Sequence, residues 1–263
     1  MNPIRLRGEA VAKRFGRVSA LGGIDFEIAP GEAVAILGAN GAGKSTLLRI
    51  LAGLSRPSEG RFEASREADR TSRADRAPTR PLAREVLRAA IGYVGHSTLL
   101  YGDLTARENL VFAARLQGYP LTEERLGTLL ERVGLQEVCN RRTGTFSRGM
   151  AQRLAIARAI VHEPSVLLLD EPFTGLDEVS AERLSSQLAV LRSGGRTLIV
   201  VTHDPQRGVE LAERAIVLDR GRIVARAARQ AGARDALPFE ADALRSALAR
   251  FARAAAATAE GAA

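Results

Sequence analysis

Two short stretches carry residue types that could handle a phosphate. The first is Gly38-Ala39-Asn40-Gly41-Ala42-Gly43-Lys44-Ser45. It has the spacing of a phosphate-binding loop: Gly, four residues, Gly, Lys, then a hydroxyl. Backbone N–H groups of such a turn surround a phosphate because no Cβ stands in the way, and the following helix adds the positive end of its dipole. Lys44 is expected to pair with the β- and γ-phosphates, Ser45 to ligate Mg²⁺, and Thr46 to add a phosphate contact. Lys44 is one of two lysines among 38 basic residues, so a lysine is used here where the chain otherwise uses arginine. The second stretch, Val166-Leu167-Leu168-Leu169-Asp170-Glu171, ends an apolar run on two carboxylates. Asp170 suits a water-mediated hold on Mg²⁺, and Glu171 suits orienting or deprotonating an attacking water. Acids are also common where a strand simply meets solvent. The pair gains its meaning from the loop that precedes it.

The hydropathy pattern supplies elements to hold both stretches. Ile4-Leu6, Ala10-Ala12 and Ile24-Ile28 read as short antiparallel strands. Ala33–Leu37 is a continuous apolar run, as expected of a strand buried on both faces, and a helix from Ser45 to Leu54 should follow the glycine-rich turn. Residues 61–88 hold many arginines and almost no large apolar residue after Phe62, which predicts a poorly ordered loop flanked by short strands. Ile91–Val94 is a further strand, and residues 105–160 have mostly helical spacing. Val166–Leu169 and Leu198–Val201 are buried-strand runs joined by a helix from about Glu178 to Leu191, a βαβ crossover. Ala215–Leu218 and Ile223–Ala225 should close a hairpin around Asp219-Arg220-Gly221. Beyond about 227 the chain is Ala- and Arg-rich, with helical spacing only near residues 241–255. In open α/β sheets, ligands bind outside the carboxyl ends of strands, which is where both chemical stretches fall.

Three further segments follow in a telling order. Phe146-Ser147-Arg148-Gly149-Met150, then Gln152-Arg153, resembles the signature sequence of ABC-type ATPases. Thr174-Gly175-Leu176-Asp177 resembles their D-loop. His203, in Val-Thr-His-Asp, resembles their switch histidine. The resemblance covers roughly residues 3–225. It implies an α/β fold: a P-loop NTPase core with an antiparallel β subdomain and an inserted α-helical subdomain at about 97–160. An ATPase domain of residues 1–225, an Arg-rich insertion at about 61–88 and a tail of 226–263 follow. It also implies a head-to-tail ATPase dimer in which the phosphate loop (Gly38, Asn40, Gly41, Gly43, Lys44, Ser45, Thr46) of one subunit and Ser147 and Gly149 of the other sandwich ATP and Mg²⁺. His203 would contact the γ-phosphate, and Asp177 would communicate across the interface. Phe15 stands where the family stacks an aromatic on adenine; a core phenylalanine is the alternative.

Two departures from the family pattern stand out. Arg148 replaces a signature glycine and Met150 a glutamine, while the two ATP-contacting positions are kept. His96 stands where the family has the Q-loop glutamine; a neutral imidazole can donate or ligate there, or the residue is an ordinary loop histidine. Gly95-His96 with Leu104-Thr105-Ala106-Arg107-Glu108-Asn109-Leu110 resembles the ATPase of the cytochrome c-maturation haem exporter, although Thr105-x-x-Glu108 is also a capping box. His162, at a helix end, reads as structural.

The rest of the composition limits the choices. Cys139 is the one cysteine, which excludes an internal disulfide framework. No apolar run approaches the ~18 residues of a membrane span and no secretory segment opens the chain, so the expected place is the cytoplasmic face of the cell membrane, with integral membrane permease subunits supplying the pathway. Residues 61–88 carry net +3 and residues 220–263 net +4, leaving +1 of the +8 for everything else. The basic balance therefore belongs to an insertion and a tail; it fits solvated segments, or segments near anionic lipid headgroups, better than nucleic acid. The competing reading is a soluble ABC-type ATPase for DNA maintenance or cluster assembly. A nucleotide-binding regulator without turnover ranks lower, since Glu171 and His203 are both present.

Overall fold

The structure is a computed structural model that describes residues 3–66 and 81–228. Its elements run β1 (Ile4–Phe15), β2 (Val18–Ile28), β3 (Ala33–Leu37), α1 (Lys44–Leu51), β4 (Glu59–Arg66), α2 (Arg84–Ala89), β5 (Ile91–Val94), α3 (Ala106–Leu116), α4 (Glu123–Arg132), α5 (Arg148–Ile160), β6 (Val166–Asp170), α6 (Glu178–Ser193), β7 (Thr197–Thr202), α7 (Pro205–Leu211), β8 (Arg214–Asp219) and β9 (Arg222–Ala228). They make a six-stranded sheet of order β5-β6-β7-β3-β8-β9, parallel except for β9, and an antiparallel three-stranded sheet of order β2-β1-β4. β3, β6 and β7 are buried along their whole length, so each can be an unbroken apolar run. Helices α3, α4 and α5 pack Leu110, Leu126, Leu130, Leu154 and Ile156 into one core with α6. A second core joins α1 to the three-stranded sheet through Leu47, Leu48, Leu6 and Phe26.

Several expectations are corrected. The two short strands expected at 4–6 and 10–12 are one strand, β1. Its alternation breaks at Ala10 (φ +46°), where the register against both neighbours shifts. The Ala10 amide donates to Asp25 Oδ1 at 2.8 Å, so the bulge leaves no unpaired donor there. Residues 61–66, expected to be poorly ordered, are in β4 and pair with β1; the polar strand is tolerated because it lies at a sheet edge. The other flank is α2, linked back by a Ser65–Pro81 bridge rather than by a strand. Helix α1 stops at Leu51 instead of Leu54 because Gly53 turns left-handed (φ +66°) and the amides of Leu54 and Ser55 return to the Arg49 carbonyl. Helix α7 was not foreseen, although Asp204 as its cap and Pro205 in its first turn are a readable start signal. The expected tail begins too early: residues 226–228 belong to β9. The helix expected at 241–255 lies outside the described residues.

Candidate nucleotide site

The phosphate loop is shaped by close backbone approach. Gly43 has φ +101°, and a Cβ there would come within 2.5 Å of the Ala20 carbonyl oxygen; a Cβ on Gly38 would come within 2.3 Å of the Leu218 oxygen. Only glycine fits either place. Gly43 is also the N-cap of α1 and offers no side-chain cap, so the first-turn amides have no side-chain partner there. Lys44 is buried and curls back across the loop. Its Nζ donates to the carbonyls of Gly38 (2.7 Å) and Ala39 (3.1 Å) and lies 3.4 Å from Glu171 Oε1.

The acidic pair faces it from the end of β6. Asp170 is 3% exposed, and its Oδ1 accepts from Ser45 Oγ at 3.1 Å. Burial pushes the Asp170 carboxyl above the usual range; the Ser45 hydrogen bond opposes this, neighbouring Glu171 adds to it, and Lys44 and Arg49 oppose it. Glu171 follows with φ +54°, a strained conformation for a residue with a side chain. Its Oε2 accepts from the His203 backbone N–H (3.2 Å) and lies 2.7 Å from His203 Nδ1, while its buried Oε1 has no hydrogen-bond partner. The Ser45 hydroxyl, the Asp170 carboxylate and Glu171 Oε1, which has an ion pair to Lys44 but no hydrogen bond, are hard oxygen donors, the kind Mg²⁺ takes together with substrate phosphates. The residues present therefore fit such an ion.

A cavity of about 340 Å³ collects these groups. Asn40, Gly41, Gly43, Lys44, Ser45, Thr46, His96, Asp170, Glu171 and His203 all line it. Ala20 and Thr174 also line it and were missed; Ala20 carries no chemical signal in the sequence, being set here by the β2 backbone. Gly38 lies beneath, in the loop itself. Phe15 is outside the lining and 52% exposed at the end of β1, with Lys13 Nζ 5.2 Å from its ring centroid, so it is not a core residue. His162 behaves as a structural residue: Nε2 donates to the Ile91 carbonyl at 3.2 Å, and burial pushes its pKa down.

Ser147, Gly149 and Asp177 do not reach this cavity. Ser147 caps α5, accepting from the Met150 amide at 3.3 Å, and a Cβ on Gly149 would approach Ser180 Oγ to 3.0 Å. Asp177 caps α6. It accepts from the Ser180 amide (2.8 Å) and hydroxyl (3.1 Å), and those bonds hold its carboxyl below the usual range. That structural duty was readable, since Asp immediately before a helical run is a common cap. The unusual Arg148 lies over Gly175: a Cβ there would come within 2.1 Å of Nη1, so these two positions are sterically linked.

A profile of the ABC transporter family matches residues 21–174. The chain belongs to the ABC transporter family. It is an ATP-binding subunit of an ABC transporter and an ATP-hydrolysing enzyme, and its α/β fold is that of ABC ATPase cassettes. It is 37% identical to the "Probable sulfate/thiosulfate import ATP-binding protein CysA" of Chlorella vulgaris, over 82% of this chain and 88% of that protein. It is 36% identical to the "Nod factor export ATP-binding protein I" of Paraburkholderia xenovorans, over 84% of this chain and 69% of that one. Other sulfate/thiosulfate import relatives are spanned over only about 60% of their length. Among solved structures, an ATP-binding cassette captured as a post-hydrolysis dimer with ADP and Pi matches with a TM-score of 0.69 and 30% identity, over 84% of this chain and 97% of that one.

The segment after His96 is stitched to α3 by folding devices. Thr105 and Glu108 form the expected capping box, with the Thr105 amide donating to Glu108 Oε2 at 2.8 Å. The Asn109 side chain, 1% exposed, bonds both backbone groups of Tyr101 and the Thr105 carbonyl. Beside them Leu99, Tyr101, Phe112 and Leu116 are exposed, the two rings meeting edge to face at 5.0 Å. No helix among the described residues is long and apolar enough to cross a membrane.

Proposed function

We propose that this ATPase works as a head-to-tail dimer that powers transport through partner integral membrane permease subunits, at the cytoplasmic face of the cell membrane. One observation carries the reading. The chain brings its loop, acids and His203 into one cavity, yet Ser147 and Gly149, the other residues expected to contact ATP, do not line it. Two copies, each lending its signature face to the other's cavity, complete both sites. In this account Lys44 and the loop amides grip the phosphates, Phe15 stacks on adenine, Asp177 signals across the interface, and Ser45 and Asp170 hold Mg²⁺, which would neutralise phosphate charge. Lys44 and His203, the side chains expected to bind the γ-phosphate, hold Glu171 in this structure. An arriving γ-phosphate competes for both. Glu171 is then free to take the proton of a water attacking γ-phosphorus as the bond to the β-phosphate oxygen breaks, leaving ADP and phosphate.

The exposed Leu99, Tyr101, Phe112 and Leu116 support a membrane partner, because four large apolar side chains are left in solvent on the segment after His96 and on α3. Copurification of the permease subunits, lost in Leu99→Asp/Leu116→Asp, tests this. Retention by that variant, or no membrane partner at all, would favour a soluble ATPase. Export, and haem export for cytochrome c biogenesis in particular, is the finer reading. His96 remains its main support, because Thr105, Glu108 and Asn109 are accounted for by folding. Relatives are named for sulfate/thiosulfate import as well as Nod factor export, so their names do not set a direction. Loss of haem-loaded exported c-type cytochromes on deletion is the expected result; loss of sulfate uptake instead would reassign it. Contact of the basic segments with anionic lipid is checked by vesicle co-sedimentation of a trimmed chain; unchanged binding would discard it.

A further inference from the structure

A second polar cavity, of about 470 Å³, opens at the opposite edge of the six-stranded sheet. Its walls come from Tyr119, from α4, and from Glu163 and Arg196, which lie just before β6 and β7. Three guanidinium groups face it: Arg125, Arg132 and Arg196. Arg196 is only 6% exposed. Its Nε and Nη1 donate to the carbonyls of Pro164 and Leu191, its Nη2 has no partner among the described residues, and no carboxylate pairs with it. Burial pushes its pKa down, Arg132 and Arg125 push the same way, and Glu163 opposes them. A buried cation beside two others has no carboxylate paired directly with it among the described residues, where such groups are normally paired.

The acids present do not supply it. Glu163 is engaged elsewhere: Oε1 pairs with Arg125 Nη2 at 2.5 Å and Oε2 accepts from Tyr119 at 3.3 Å, and it makes no ion pair with Arg132 or Arg196 among the described residues. Glu124 lines the cavity with no ion pair to any of the three arginines among the described residues. Arg125 lies over the Tyr119 ring at 4.7 Å, and its buried Nε has no partner. Arg132 is exposed and has no carboxylate partner among the described residues. A concave wall that takes Arg125 and Arg132 from α4 and Arg196 from just before β7, with unpartnered N–H groups on Arg125 Nε and Arg196 Nη2, suits a tetrahedral oxyanion, whose oxygens accept several forked N–H bonds at once.

We infer that this cavity is a second anion site, distinct from the nucleotide site, that takes a phosphate-type oxyanion, free or as a small ester, on Arg125, Arg132 and Arg196. It touches Ile160, the last residue of α5, the helix whose first turn carries the signature sequence, so α5 links the two. The test uses the full chain carrying Lys44→Ala, which removes the lysine of the phosphate loop. Sodium selenate is titrated in by calorimetry at constant ionic strength, against sodium chloride. One selenate is expected to bind, and adding Arg132→Gln should weaken it by about tenfold or more. Arg196→Lys, which keeps the charge but loses the fork, should weaken it too. Should that buried variant fail to fold, the exposed Arg132 decides alone. Absence of selenate binding in the folded Lys44→Ala chain, or unchanged affinity after Arg132→Gln, would overturn the site. A parallel titration with glycerol 3-phosphate tells an ester from a free anion by which binds more tightly.

Discussion

The cavity face and the signature face of this chain differ in how their polar groups are spent. On the cavity face, Lys44, Glu171 and His203 form one linked set, Ser45 is bonded to Asp170, and Glu171 keeps a buried oxygen with no hydrogen bond. These contacts tie the start of α1 to the ends of β6 and β7, so the site is held by the sheet. On the signature side, the side chains of Ser147 and Asp177 hold the starts of their own helices and make no bond to the cavity residues among the described residues. One face is strained and internally satisfied by contacts a nucleotide must replace. The other is capped, relaxed and waiting for something from outside. That contrast is what a site shared between two copies would leave in a single one.

The contrast can be broken by substitution on either side. Glu171→Gln should give the largest effect, lowering kcat by about 10³-fold with ATP affinity kept, since a positioned base contributes roughly 10²–10⁴; normal hydrolysis would remove Glu171 as base. Ser147→Arg should lower kcat by about 10²-fold yet leave ATP binding to the isolated chain unchanged, as equilibrium titration would show. A loss of monomer affinity would place Ser147 in the cis site after all. Lys44→Ala should weaken ATP binding by about 30-fold, through loss of charge-assisted bonds. His96→Gln should leave basal ATPase within about twofold and change only its stimulation by the membrane subunits; a collapse of basal activity would argue for a direct catalytic role. Asp170→Asn should have the smallest effect on folding and the opposite sign. Burial raises the Asp170 pKa, so the folded chain holds a proton that the unfolded chain releases, and this group's contribution to stability falls as pH rises through that range. The substitution should raise the Tm of the nucleotide-free chain by about 2 °C near neutral pH while removing Mg²⁺-dependent stabilisation by ATP.

Much of the cavity face was readable in the sequence because its chemistry is written in contiguous residues. The loop glycines, Lys44 and Ser45 are adjacent, and the apolar runs before Lys44 and Asp170 name the strands that carry them. His96 and His203 could be placed only through the family resemblance, since their spacing from the loop is set by the sheet order. Residues that reach the site through backbone position stayed hidden: Ala20 enters because a β2 carbonyl packs on Gly43, which no local pattern announces. The failures in the fold have a common cause as well. Arg61–Arg66 looked unstructured by composition, yet pairing with β1 overrode propensity at a sheet edge. Arg125 and Arg132 of the second cavity share α4, and only the tertiary fold brings Arg196 to them.

The most direct test of the composite site is the molar mass of Glu171→Gln in solution, measured by light scattering with and without ATP. A monomer is expected with ADP, a dimer with ATP and Mg²⁺, and a return to monomer when Ser147→Arg is added. A Glu171→Gln chain that binds ATP stoichiometrically yet stays monomeric, or a dimer indifferent to Ser147→Arg, would contradict it.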